Sequence, residues 1–466
     1  MQAPLACGSE RGEGATRATH CDPDTQWVKT ADGWRAMSMA EVSSEAPSPH
    51  ANLASSVQIH GCCYGFEQER DSWASPRQIF SSDKAARPGY DTADASEYLD
   101  EPAVLEAKVT HVAELIRRST CTVVYAGAGL STAAGIEDYA TYSRSTAQAH
   151  GQQERLKSPM CAQPTLSHRA LVGLNRAGLL HRLVQQNHDG LPQKAGMPQE
   201  ALNEIHGSLY APDNPVVAMS GSLRGDLLLD LLDAEARADL VLCVGTSLAG
   251  MNADRIVHSA AQRAADGKAL GAVLVGLQRT RADAEATIRI FAPCDVVFQR
   301  LADLIPEAAR MMPEVRPSGE FFAPPFLTNA RPAACGDDGK VGESIGGTPY
   351  HLTGLPYDAM GRRVSTAATC RLDVRDDARL VIPSGPYAGA QGVVDGTDRE
   401  GHPRCRFQLR LKPGKPFKAL MLLTVGVWWL QAAIDATVDH LPVVNPPDAS
   451  DASEAAEELR SLMATY

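Results

Sequence analysis

Three short runs constrain this chain more than any other feature: "CTVVYAG" (121–127), "DLVLCVG" (239–245) and "GAVLVGL" (271–277). Each is almost wholly apolar and meets glycine at or near its end. A strand apolar on both faces must be covered on both, as in a parallel sheet with helices packed above and below. The intervals carry helical spacing. "EYLDEPAVLEAKVTHVAELIRRS" repeats apolar residues at Val104, Leu105, Val109, Val112, Leu115 and Ile116. "TLSHRALVGLNRAGLLHRL", "RGDLLLDLLDAEARA", "NADRIVHSAAQRAADG" and "DVVFQRLADLI" read as further helices, and "LVQQN" as a short strand. The predicted fold class is α/β, a Rossmann-like parallel sheet with helices on both faces.

That pattern occupies residues 99–306. Residues 1–98, rich in Ser, Ala, Gly and charge without a sustained period, read as a poorly ordered leader. Residues 307–370, with many Pro and Gly and the tract "CGDDGKVGESIGG", read as a linker. Residues 371–440 predict a small β-rich segment. It loosely resembles the KOW type of SH3-like module through Gly385, Gly389, Gly392 and Val393, and an ordinary hairpin extension explains it equally well. Residues 441–466 read as an acidic tail, with a helix capped by Ser or Asp in "SDASEAAEELRSLMATY".

Composition excludes several function classes. A net charge of -12 over 466 residues argues against a whole-molecule hold on nucleic acid or an anionic membrane. The opening "MQAPLACGSERGEGATR" lacks the apolar core of a signal peptide, and the run Ala419 to Leu430 is too short to span a bilayer. The 11 cysteines include no C-x-x-C pair, so they read as scattered reduced thiols. These features predict a protein of the nucleus or cytoplasm, with no membrane association and with flanks open to protein partners.

The chemistry sits at strand ends. In "TVVYAGAGLSTAAGIEDYATY" (122–142), Gly127 and Gly129 follow a strand and let backbone N–H groups approach a phosphate. Tight strand-to-helix turns also use glycine for steric reasons alone. Gly135 comes six residues after Gly129 rather than three, and no acid closes a second strand some 20 residues on. A hydride-transferring dinucleotide fold is therefore disfavoured. "QQNHDGLPQKAGMPQEALNEIHGSLY" delivers Gln186, Asn187 and Asp189 at a strand end and His206 beyond. A lone His is more often structural; beside a nucleotide loop and an N-x-D pair the catalytic reading gains. "VLCVGTSLAGMNADRIV" places Gly245, Thr246 and Ser247 where hydroxyls suit ribose or phosphate, or simply cap the next helix. A last strand-loop offers Gln278, Thr280 and Asp283.

Together these segments resemble the sirtuin family of NAD-dependent protein deacylases, in the expected order and over about residues 100 to 305. "PTLSHRALVGL" and the wording L-Q-x-T-x-x-D-x-x-A lean toward the nuclear, class IV-like branch. The resemblance implies an enzyme that consumes NAD, transfers the acyl group of an acyl-lysine protein to ADP-ribose, and releases nicotinamide. It implies His206 as the base for the ribose hydroxyls. It places Asn187 and Asp189 at the nicotinamide ribose and carboxamide, helped by Ile136 and Asp138. Gly127, Ala128, Gly129 and Ser131 would line the cofactor loop, Gln186 the same crevice, and Gly245, Thr246 and Ser247 the adenosine side. An NAD-consuming ADP-ribosyltransferase or NADase, and a catalytically weak NAD-binding regulatory protein, are the alternatives.

The departures are specific. Ala140 stands where the family carries arginine, with Arg144 close by in sequence. Pro192 replaces a histidine, Gly276 an asparagine, and "AGMNAD" follows "GTSL". Family members place two C-x-x-C pairs between the catalytic His and "GTSL". Here the interval Gly207 to Val244 holds only Cys243. A tetrahedral zinc site needs four N or S ligands, so no zinc is predicted. The insert "APDNPVVAMSGSLRGDLLLD" must then complete a reduced small subdomain by packing alone.

Overall fold

The computed structural model describes residues 25–30, 33–38, 56–147, 162–218, 221–314, 351–365, 370–398, 401–410 and 418–446. A hairpin of β1 (Thr25–Thr30) and β2 (Gly33–Ser38) comes first. Next are α1 (Ser56–His60), α2 (Glu67–Ser72), β3 (Arg77–Phe80), β4 (Glu97–Leu99) and the long α3 (Pro102–Arg118). The middle of the chain runs β5 (Thr122–Ala126), α4 (Tyr139–Tyr142), α5 (Leu166–Arg176), β6 (Arg182–Gln185), α6 (Leu191–Lys194) and β7 (Leu202–Glu204). It continues with α7 (Gly225–Arg237), β8 (Leu240–Val244), α8 (Arg255–Ala265), β9 (Gly271–Val275), β10 (Ile288–Ile290), α9 (Cys294–Leu304) and α10 (Pro306–Ala309).

Six of these strands form one sheet in the order β10-β9-β8-β5-β6-β7, parallel throughout. Strand alternation assigns the two faces. Val124, Ala126, Leu242, Val244, Val273 and Val275 share one core with α3, α5 and α9. Val123, Tyr125, Val241, Cys243, Ala272 and Leu274 share the other with α7 and α8. The chain runs outward from β5 through β6 to β7, then returns to β8 beside β5. That reversal opens a crevice at the carboxyl ends of β5 and β8, where α/β sheets bind ligands. β7 and β10, three residues each, are too short for a periodicity to reveal.

Residues 56–98 are folded, which corrects the leader reading for that stretch; residues 1–24 and 39–55 lie outside the described residues. Main-chain bonds hold this stretch to the β10 side of the sheet. Cys62 N donates to Ala286 O (2.7 Å), Cys63 N to Thr287 O (2.8 Å) and Tyr98 N to Leu277 O (2.9 Å). Asp100, fully buried, then takes both bonds from Lys108 Nζ at 2.8 Å and one from Phe291 N at 2.9 Å. Such attachments leave no apolar period, so composition alone mistakes the segment for a loose one.

The C-terminal unit starts earlier than residue 371, because β11 (His351–Leu355) pairs with β12 (Cys370–Asp373). Residues 315–350 of the expected linker lie outside the described residues. An antiparallel sheet follows, β13 (Arg379–Val381), β14 (Gln391–Thr397), β15 (Pro403–Arg410) and β16 (Lys418–Thr424), and then α11 (Val427–Asp435). The apolar run Ala419 to Leu430 therefore divides between an edge strand and a helix. Leu441, Val443 and Val444 are buried in this unit, ahead of the expected acidic-tail helix, whose residues 447–466 lie outside the described ones.

This unit shares a core with Tyr210 and Ala211 of the parallel-sheet domain. Gly426 N donates to Tyr210 O (3.0 Å), and Trp428 meets the Tyr210 ring edge-on at 5.0 Å. Beside it, the fully buried Asp213 carboxylate accepts from Arg224 Nη1 (3.1 Å) and Ser384 Oγ (3.4 Å), and pairs with His440 Nε2 (3.3 Å). Gly385, at φ +77°, fits only as glycine: a Cβ there would stand 1.9 Å from Asp213 O. The short insert after His206 thus gains its cover from the C-terminal unit.

Candidate active site

Two loops interlock at the mouth of the crevice. Gly127 N donates to Val244 O (2.9 Å) and Gly129 N to Gly245 O (2.8 Å). A Cβ on Gly129 would lie 2.7 Å from Gly245 Cα, and one on Gly245, at φ +62°, 2.4 Å from Leu130 N. The steric reading of these glycines therefore holds: their first task is to let the β5 and β8 loops touch. Ala128, half-buried, rides at the crest of that contact.

The predicted polar residues converge from three strand ends. Asn187 Nδ2 donates to Gly127 O (3.0 Å) and to Ser131 Oγ (3.1 Å), while Ser131 Oγ donates to Asp189 Oδ2 at 2.7 Å. The other Asp189 oxygen accepts from Leu191 N at 2.9 Å. Gln186 Nε2 donates to Thr246 Oγ1 (3.0 Å), which also accepts from Leu248 N (3.3 Å), and Ser247 lies half-buried beside them. Ser131 and Asp189 are buried, so their geometry positions the loop rather than presenting free groups. Asp138 likewise caps α4, accepting from Thr141 N at 2.6 Å, while Ile136 stays half-buried with no polar role.

His206 follows β7 on the same side of the sheet and is half-buried. Its main-chain oxygen accepts from Val217 N (2.9 Å). The Gln186 main chain acts on the imidazole from the neighbouring strand end and favours its charged form, against the larger effect of burial. Burial lowers its pKa to about 4, assisted by the charges of His188 and Arg87. The ring is therefore neutral near pH 7, the form a general base requires. Two residues upstream, Glu204 is buried and pushed up to about 7 by desolvation, while its carboxylate accepts from Gln185 Nε2 (3.3 Å).

The structure brings in residues the motifs did not indicate. His188 Nδ1 lies 2.9 Å from Gly207 O and holds the turn after the candidate base. Arg87, from the supposed leader, is buried over the cofactor loop with its guanidinium 4.5 Å from the Tyr139 ring centroid and 4.2 Å from that of Tyr90. No local signal marks Arg87, because it reaches the site from 40 residues upstream of Gly127. Arg144 is exposed, with its backbone at φ +57°. Ala140 is buried against Ala86 and Ala95. Pro192 is buried within α6, and a Cβ on Gly276 would meet nothing within 4 Å, leaving open space past β9. In the "AGMNAD" stretch, Asp254 accepts from Gly250 N, Met251 N and Tyr125 Oη, each at 2.8 Å, which braces the β8 loop.

The cysteine nearest the expected zinc interval has a structural place. Cys243 lies buried within β8 of the sheet core, and no group of three or more His, Cys, Asp or Glu able to hold a metal occurs among the described residues.

The chain is similar to proteins of the Sir2 family. The Sir2 family model matches residues 141–215. The NAD-dependent protein deacetylase sirtuin-7 of Bos taurus is 28% identical over 287 residues, covering 52% of this chain and 70% of that protein. The NAD-dependent protein deacetylase SRT1 of Arabidopsis thaliana is 32% identical over 241 residues, covering 43% of this chain and 50% of that protein. A solved structure described as "Sir2 bound to acetylated peptide" covers 42% of this chain and 98% of its own, at 22% identity and a TM-score of 0.35.

Proposed function

We propose that this chain is a member of the Sir2 family and an NAD-dependent protein-lysine deacylase of its class IV-like branch. The observation that carries the proposal is the gathering, at the carboxyl ends of β5, β6, β7 and β8, of a neutral imidazole at His206 with the Asn187–Ser131–Asp189 network. NAD fits the donor set: hydroxyls and amides rim a crevice with open space past β9, and Arg87 adds a cation. Bound NAD supplies the ADP-ribosyl acceptor for the acyl group. The residues present then have separable tasks. His206 takes the proton of a ribose hydroxyl. Asn187 and Gln186 orient the ribose side, with Asp189 and Ser131 holding their loop. Thr246 and Ser247 serve the adenosine side.

An acylated-lysine protein is the proposed second substrate. The chain's thiols support a reducing compartment, nucleus or cytoplasm, since every described cysteine is unpaired. No helix among the described residues is long and apolar enough to cross a membrane. The residues between His206 and β8 do not fit a tetrahedral zinc, and no step of this mechanism uses one.

The test is nicotinamide release from NAD with and without an acetylated peptide. Release that requires the peptide supports deacylation, and release without it favours the NAD-hydrolysing alternative. His206→Ala should lower release by roughly 100-fold or more, the usual contribution of a general base. Activity retained in that variant would remove His206 from the role.

A further inference from the structure

We infer that Arg87, carried on the segment N-terminal to the sheet domain, supplies the cationic contact to the diphosphate of the dinucleotide that Ala140 lacks. The inference rests on the deacylase reading above and adds a binding residue to it. It stands on a paired geometry. At position 140 the small side chain leaves a space, and Ala86 and Ala95 fill it, forming a tight three-alanine contact. Ala86 is the residue before Arg87, so the packing that occupies the missing side chain's space also delivers a guanidinium next to it.

The delivery is firm. Ala86 N donates to Ala93 O (3.0 Å), Ala95 N to Lys84 O (2.8 Å), Arg87 N to Thr92 Oγ1 (3.3 Å), and Tyr90 N to Arg87 O (3.2 Å). These bonds close a loop over residues 84–95. Tyr90 of that loop and Tyr139 of the cofactor loop clasp the guanidinium, at 4.2 and 4.5 Å from the ring centroids. Arg87 retains only 6% of its surface, while Tyr139 remains 51% exposed at the rim. A planar cation stacked between rings loses little entropy when it meets an anion, and arginine's fork suits phosphate oxygens. The positive charge also reaches the base, since it is one of the groups depressing the His206 pKa. Arg144, the nearer candidate in sequence, is exposed.

The experiment uses the full chain and two probes, ADP-ribose and adenosine, measured by calorimetry. Arg87→Met keeps the buried stem between the tyrosines and removes the charge; Arg87→Lys keeps a charge without the planar fork. Loss of one charge-assisted contact should weaken ADP-ribose by roughly 10- to 100-fold in Arg87→Met, with Arg87→Lys between it and wild type. Adenosine, which has no diphosphate, should bind all three equally. The salt dependence of ADP-ribose binding should also flatten in Arg87→Met. ADP-ribose affinity within about twofold of wild type in Arg87→Met, or equal losses for both probes, overturns the assignment. Wild-type protein that binds neither probe overturns the deacylase reading itself, and the Arg87 assignment with it.

Discussion

Trp428→Ala tests whether the C-terminal unit is structurally part of the catalytic domain. Trp428 is 5% exposed, edge-on to Tyr210 and to His402 with centroids 5.0 Å away in each case. It also underlies the loop after Asp189: a Cβ on Gly190 would stand 2.9 Å from Trp428 Cη2. Truncating a buried Trp to Ala costs about 3–5 kcal/mol, and each edge-to-face pair adds about 0.5–1.5 kcal/mol. A loss of about 4–8 kcal/mol is therefore expected. For a domain of this size that lowers the melting temperature by roughly 10 °C or more. Because the indole supports both Tyr210 and the Gly190 turn, the same variant should weaken ADP-ribose binding, while Trp428→Phe, which keeps a ring in place, should do so less. Calorimetry and ADP-ribose titration provide the readout. If Trp428→Ala melts a separate transition while the remaining transition and ADP-ribose affinity stay at wild-type values, the unit is an appended domain and the reasoning fails.

Two further expectations concern the same region. Glu204 has its folded pKa raised from 4.5 to about 7, so the folded state keeps an extra proton between those values. Its stabilising effect is complete below pH 4.5 and is lost as pH rises through 7, on the order of 3 kcal/mol in all. Glu204→Gln should therefore flatten denaturant-measured stability between pH 5 and pH 8. His206 acts in the opposite sense, since its depressed pKa makes stability rise with pH between about 4 and 6.5. A Glu204→Gln profile as steep as wild type would show that another group carries the alkaline slope. Chelation tests the small subdomain: prolonged EDTA treatment should leave the melting curve and ADP-ribose binding unchanged, whereas stoichiometric zinc release with loss of structure would refute packing without metal.

Much of the architecture is legible in the sequence because it rests on short-range rules. All-apolar β5, β8 and β9 demand two covered faces, and the amphipathic α3, α5, α7, α8 and α9 between or beside them supply the cover. The site residues are legible as a set for the same reason, since strand ends of a parallel sheet gather at one edge. Their individual tasks are not. Asp189 and Asp138 read as ligand contacts, yet their oxygens are engaged by Ser131, Leu191 and Thr141. Gly127 and Gly245 read as phosphate glycines, yet loop-on-loop contact alone requires them. What the sequence conceals is contact over distance. Residues 56–100 are held by main-chain bonds to residues 277–291, and Tyr210 is buried by residues more than 200 positions away. Neither attachment leaves a period or a motif to detect.

The departures from the family pattern are instructive when taken with those distant contacts. A subdomain as short as the insert between His206 and α7 cannot bury enough apolar surface to order itself, and without metal ligands it needs cover from elsewhere. Tyr210, Ala211 and Asp213 receive that cover from α11, His402, Ser384 and His440. At the other end of the crevice, Ala140 is answered by Ala86 and Arg87 in the same spatial sense. In both places a residue type missing from residues 99–306 is matched by packing from a flank. The flanks therefore bear directly on the crevice: a fragment limited to 99–306 would expose Tyr210, strand the buried Asp213 carboxylate without His440 and Ser384, and remove Arg87 from the Tyr139 ring. The packing around the crevice accordingly draws on more of the chain than its motifs, from described residues near 56 to described residues near 446.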